Sequence, residues 1–280
     1  MSLDTPLLAA SLSLTAAVCW GAGDFTGGLA SRRSSALRTV LISYSVGLTM
    51  LLIVALASAE PIPPMADLGW GALAGICGMI GVGFLYQGFS KGRMGIVAPL
   101  SAVLATALPV IFSVFTARLP NVLQVVGFGV ALVGIWLLNR SGRESSRPIE
   151  LGMATIAGLG FGIFFIALDQ VGKDTVFWPL IAGRSAACTM IIIFALVTHR
   201  PLLRQSPLRL LFLAGTLDVG GNLFFLLATQ KGRLDIVSVL GSLYPAVTTL
   251  LAQWMLKEHL SRPQLIGISA AMLAIILITI

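Results

Sequence analysis

Two eight-residue stretches constrain this chain more than any other feature: Ser90-Lys91-Gly92-Arg93-Met94-Gly95-Ile96-Val97 and Gln230-Lys231-Gly232-Arg233-Leu234-Asp235-Ile236-Val237. Each is a short charged break between long apolar runs, and they lie 140 residues apart in a chain of 280. At the same offset Leu100 meets Leu240, Gln124 meets Gln264, Gly127 meets Gly267, Ala131 meets Ala271 and Ile135 meets Ile275. Sparse identity over a window of about fifty residues per half is the pattern of a diverged internal duplication. The chain reads as two copies of one unit.

The solvent of that unit follows from composition. Hydrophobic residues make up 57% of the chain, charged residues 10%, and the mean hydropathy is +0.96. A soluble fold of this length cannot hide so much apolar surface, so lipid surrounds most of it. Ten apolar runs lie near 7–29, 36–57, 68–89, 95–116, 121–138, 150–171, 176–197, 208–229, 235–256 and 263–280. Each has roughly the twenty residues that cross a bilayer core, and each must be helical to satisfy its backbone there. The first run carries Asp4 and no basic residue ahead of it, so it reads as a retained span rather than a cleaved signal peptide.

The longest polar segment, Asn139 to Glu150, separates the copies. The expected organisation is a five-helix repeat over 1–138, a linker over 139–149 and a second five-helix repeat over 150–280. Five is odd, so the second copy enters the membrane upside down. The expected fold is therefore an all-α integral membrane protein of ten transmembrane helices in two inverted repeats. Such repeats place a transporter's substrate site near the midplane between the halves.

Thirteen Lys and Arg residues fall in the odd-numbered loops and four in the even-numbered ones. That bias puts the odd loops in the cytoplasm and both termini outside an inner cell membrane. The net charge of +7 is then a topology signal, and no nucleic-acid partner is implied. Inversion puts the two Lys-Gly-Arg breaks on opposite faces, so this rule cannot explain both. Helix capping can: Gly92 and Gly232 suit a left-handed helix end, and Lys91 and Lys231 sit where a cation favours a helix C-terminus. Anion binding at a mouth is the alternative.

An ionisable group in mid-membrane costs about 2.5–3.5 kcal/mol on insertion scales. Three stand inside spans: Asp24, Arg184 and Asp218. Counting about 1.5 Å per residue, Arg184 and Asp218 lie one helical turn apart in depth and can pair, whereas Asp24 lies nearer the cytoplasmic face, within reach of Arg32 or Arg33. Three readings stay open for the central charges. They form a structural ion pair; or Arg184 receives a substrate carboxylate or phosphate, with Asp218 neutralising it in the empty site; or Asp218 carries a coupling proton. Asn222, one turn beyond Asp218, shares its face.

Pro109 and Pro245 interrupt helix hydrogen bonding and are candidate hinges. The spacings Gly71-Gly75 and Gly158-Gly162 allow close helix packing. Cys19, Cys77 and Cys188 show no metal or disulfide spacing, and neither a reactive constellation nor a phosphate loop is visible. No metal, cofactor or enzymatic activity is expected.

The chain resembles the drug/metabolite transporter superfamily in its ten-helix, two-repeat EamA form. The matching residues are Cys19-Trp20-Gly21 in the first span, Pro109 in the fourth and Leu243-Tyr244-Pro245 in the ninth. Leu256-Lys257-Glu258 and then Gln264 and Gly267 match as well. The resemblance implies a secondary carrier of small metabolites, often an exporter, with a central cavity lined by the spans holding Trp20, Tyr86 and Tyr244. Two departures stand out: Lys257 replaces the family's usual glycine, and Arg118 occupies the position matching Glu258.

The expected function is secondary transport of small metabolites such as amino acids or related organic acids. Coupling is to protons or a counter-substrate, in a monomer or weak homodimer within the bilayer. A proton-coupled exporter of cationic or lipophilic compounds is the alternative. A channel would show charge rings or a carbonyl filter, and a membrane enzyme a reactive constellation; neither is seen.

Overall fold

The computed structural model describes residues 4–116, 122–139, 148–172, 175–199, 207–231, 240–241, 243–257, 260 and 262–279. Among these lie helices α1 (Asp4–Arg33), α2 (Ala36–Ser58), α3 (Met65–Lys91), α4 (Met94–Thr116), α5 (Val122–Asn139), α6 (Pro148–Asp169), α7 (Phe177–Val197), α8 (Leu208–Lys231), α9 (Tyr244–Leu256) and α10 (Arg262–Thr279). No strand occurs among the described residues. By length and apolarity α1, α2, α3, α6, α7 and α8 are long enough to cross a membrane. Their outer faces carry bare Leu, Ile, Val and Phe, such as Leu56, Ile193, Val197 and Phe212. In water such a surface would aggregate; in lipid it is solvated. The protein is a multi-pass membrane protein.

Helices of the first half pack chiefly on helices of the second. The most extensive contacts join α1 to α8, α3 to α6 and α5 to α10, followed by α4 with α6 and α3 with α7. Glycines set the closest of these. On α3, a Cβ at Gly71 would lie 2.3 Å from the Pro179 carbonyl oxygen, and one at Gly75 would lie 2.1 Å from that of Gly183. On α6, Gly158 and Gly162 meet Ser101, Leu104 and Leu108 of α4 at similar range. Without an aqueous hydrophobic drive between helices, such backbone proximity supplies the packing energy.

The first Lys-Gly-Arg break differs from expectation. Lys91 does end α3, but Gly92 is extended (φ −141°, ψ −161°) rather than left-handed. Glycine is required there by space: a Cβ would lie 2.5 Å from Cγ of Glu150. The second break beyond Lys231, the linker segment 140–147, Arg118 and Glu258 lie outside the described residues. Lys257 closes α9 at φ 53°, its N–H reaching the Ala252 carbonyl. Glycine adopts that left-handed conformation without penalty, which accounts for its fitness at this position.

Pro245 stands at a helix start rather than in a helix interior. Within the described residues α9 begins at Tyr244, with Pro245 in its first turn. A proline there removes an amide that would have no intrahelical acceptor anyway, so it opens the helix and breaks no interior bond. Pro109, by contrast, lies inside α4.

Glu60, in the loop before α3, holds the start of α7. Its carboxylate accepts the amides of Val176 at 2.6 Å, Phe177 at 2.9 Å and Trp178 at 3.2 Å, while the Trp178 indole donates to the Glu60 carbonyl at 2.9 Å. A carboxylate on three orphan amides satisfies the helix end and complements its dipole. Replacing Glu60 by alanine is expected to destabilise the protein by about 1–2 kcal/mol, with Glu60→Gln losing less. A thermal melt of the purified protein measures it.

Candidate substrate site

The arginine and the aspartate that face each other across α7 and α8 form a direct ion pair, Arg184 Nη2 to Asp218 Oδ2. Arg184 is about 5% exposed. On its other side the guanidinium carbon sits 3.9 Å from the ring centre of Tyr44 on α2, a cation–π contact. Nη1 has no hydrogen-bond partner among the described residues.

Arg184, Asp218 and Tyr44 line one cavity together with Asp24, Trp20, Asn222 and Tyr244. Its remaining walls are apolar: Gly71, Ala74, Gly75 and Gly78 of α3, Phe161, Phe164, Phe165 and Leu168 of α6, and Leu180 of α7 among them. The cavity volume among them is about 80 Å³. It occupies the half of the bundle nearer the N-termini of α3 and α7 and the C-terminus of α6.

Asp24 is closer to the central charges than its sequence depth suggests. Helix α1 has 30 residues, so counting from its first apolar residue misplaces the middle of the membrane. Arg32, one of the partners open to it in the sequence, donates to the carbonyls of Phe89 at 3.0 Å and Gly92 at 3.4 Å. No hydrogen bond or ion pair reaches the Asp24 carboxylate among the described residues. The cavity thus holds two carboxylates and one guanidinium.

Trp20 and Asn222 are tied to each other, the indole N–H donating to Asn222 Oδ1 at 3.1 Å. The indole also packs on Phe225 at 5.2 Å and edge-on to Tyr244 at 6.4 Å between ring centres. Gly221 makes room for it, since a Cβ there would lie 2.4 Å from the indole ring. Tyr86 stands behind the cavity wall rather than in it. It is 3% exposed in the core between α1 and α3, its ring against Gly27 and 6.4 Å from that of Phe89, and it does not line the cavity. Tyr44, absent from the sequence expectation, takes the place by Arg184. No feature of the sequence around it distinguishes Tyr44 from an ordinary membrane-span aromatic.

The EamA-like transporter family matches residues 7–140 and again 149–280, nearly the whole chain in two successive units. The chain belongs to the EamA-like transporter family. It is accordingly a membrane transporter of the drug/metabolite type. An uncharacterized protein of Methanocaldococcus jannaschii is 31% identical over 132 residues, which span 96% of that protein and 47% of this chain. A protein of solved crystal structure shares the fold at TM-score 0.63 and 18% identity over 96% of both chains.

Proposed function

We propose that this EamA-type protein is a secondary carrier of small metabolites bearing a carboxylate, amino acids foremost, working by alternating access between two inverted five-helix repeats. The observation that carries the substrate class is the meeting of these opposite charges in one cavity. Among the described residues Arg184 Nη1 has no hydrogen-bond partner, and the Asp24 carboxylate lines the same cavity. A carboxylate can take two nitrogens of a guanidinium fork, and an ammonium can take Asp24. The aromatic walls and Asn222 supply the apolar body and the orienting polar group typical of such sites.

Two observations support the inverted repeats. A relative spanning barely one half of this chain matches almost end to end. Exchanging α1–α5 for α6–α10 also maps most helix contacts onto one another: α1–α8 onto α6–α3, α4–α6 onto α9–α1, and α3–α7 onto α8–α2. Pro109, interior to α4, is the remaining hinge candidate. The cavity is completed within one chain, which fits a monomeric carrier in the inner membrane.

The excess carboxylate supports a second reading, export of cationic or lipophilic amines with Asp24 as the binding acid. Counterflow in proteoliposomes separates the two, with amino acids, amine-free organic acids and a lipophilic cation as ligands, with and without a pH gradient. On the first reading, Asp24→Asn loses amino acids and keeps organic acids. Transport of the lipophilic cation alone, lost in Asp24→Asn, would establish the second reading and end the first.

A further inference from the structure

Opposite the cavity, where α3 turns into α4, a second cluster joins the two halves. Glu150, in the first turn of α6, is 1% exposed and accepts three hydrogen bonds from one residue of the other half. The Arg93 backbone amide reaches Oε1 at 2.8 Å, Arg93 Nε reaches Oε1 at 3.3 Å, and Nη2 reaches Oε2 at 3.3 Å. The absent side chain of Gly92 lets the carboxylate lie against the turn. Arg32 fastens the same turn to α1 through the Phe89 and Gly92 carbonyls. Between this cluster and the cavity the bundle is sealed by Leu85, Phe89, Val97 and Ala98, each fully buried.

At the repeat offset of 140 residues, Arg93 corresponds to Arg233 but Glu150 corresponds to Ala10. The matching position of the other copy therefore carries no carboxylate. A buried carboxylate that spans two halves at a sealed end, present at this position in one copy only, is more than a generic packing contact. We propose that Arg93 and Glu150 form a one-sided latch that holds the α3–α4 end of the bundle shut, and that this latch must part for the cavity to open on that face. This rests on the alternating-access reading above.

The parting is favourable only if something replaces the lost bonds. Charge-assisted hydrogen bonds are the stronger class of hydrogen bond, and here they favour the closed state. Weakening the latch should therefore shift the population of the two access states rather than simply loosen the fold, because a population moves only with a difference in energy between them.

The test uses the full chain in proteoliposomes with Cys19, Cys77 and Cys188 replaced by alanine. A thiol is introduced either by Val97→Cys, behind the latch, or by Leu168→Cys, in the cavity wall at the far end of α6. A charged, membrane-impermeant maleimide reports access to each. Glu150→Gln is expected to raise labelling at position 97 by about tenfold while lowering it at position 168. Arg93→Lys, which keeps the charge but lacks the guanidinium fork, should do the same to a smaller degree and serves if the first variant accumulates poorly. A ratio of the two labelling rates unchanged in both variants would overturn the latch. Labelling needs no substrate, so a moved ratio with no transport of any ligand would leave the latch standing and remove the substrate reading.

Discussion

Arg184→Ala is expected to abolish transport of carboxylate-bearing substrates, lowering the rate by about a hundredfold or more, the scale of losing a buried charge-assisted pair. The substitution acts twice. It removes the guanidinium that would hold a substrate carboxylate, and it leaves Asp218 without its partner, Arg184 being its ion pair here. Breaking a buried pair by removing one member costs about 3–5 kcal/mol of stability, so a lower melting temperature must accompany the loss. The double variant Arg184→Ala/Asp218→Asn separates the two effects. It removes the stranded charge and should recover most of the stability without recovering transport. Arg184→Lys should retain stability and transport poorly, since a lysine offers a point charge rather than a fork. If the double variant transports normally, the pair is structural and the substrate contacts lie elsewhere in the cavity.

Gly75→Ala should be among the most disruptive single-atom additions available in this chain. The new Cβ would lie between 2.1 and 2.3 Å from three backbone atoms of Gly183. Backbone cannot rotate aside as a side chain does, so α3 and α7 must separate by more than an ångström. The cost expected from such overpacking is about 3 kcal/mol, and more where the helices cannot re-seat. Gly183 directly precedes Arg184, so the displacement is carried into the site even in molecules that fold. The readouts are accumulation in the membrane and monodispersity after solubilisation, with Gly69→Ala as the control. A Cβ at Gly69 meets nothing within 4 Å. That variant should be neutral or slightly stabilised, because alanine favours the helix over glycine by about 1 kcal/mol.

Helix positions were legible in the sequence because lipid leaves little freedom: an apolar run of spanning length has to be a helix. The Arg184–Asp218 pair was legible for the same reason, since two isolated opposite charges at similar depth need each other. Direction and distance were less legible. Tyr86 continues the same stripe of α3 that lines the cavity, following Gly71, Gly75, Gly78 and Val82, but lies one turn past the sealed floor. Periodicity gives the face of a helix and not where a cavity ends along it. Pro245 looked interior because the apolar run continues ahead of it, whereas helix α9 starts beside it. Glu60 was visible only as an acid in a loop without basic residues; the amides it holds are 116 to 118 residues further on. The role of Gly92 was read from turn chemistry, and the neighbour that decides it comes from the other copy.

The way the halves interlock also governs how the chain is made. During synthesis α1 to α5 are complete before α6 exists, yet the main partners of α1, α3 and α5 are α8, α6 and α10. The newly made first half therefore waits in the bilayer with glycine-faced helices unmatched, exposed to wrong partners until its sister segment arrives. Long-range pairing of this kind slows assembly and lengthens the vulnerable interval. A pause in translation after the fifth helix would be harmful here, where in a protein of two self-sufficient domains it would help.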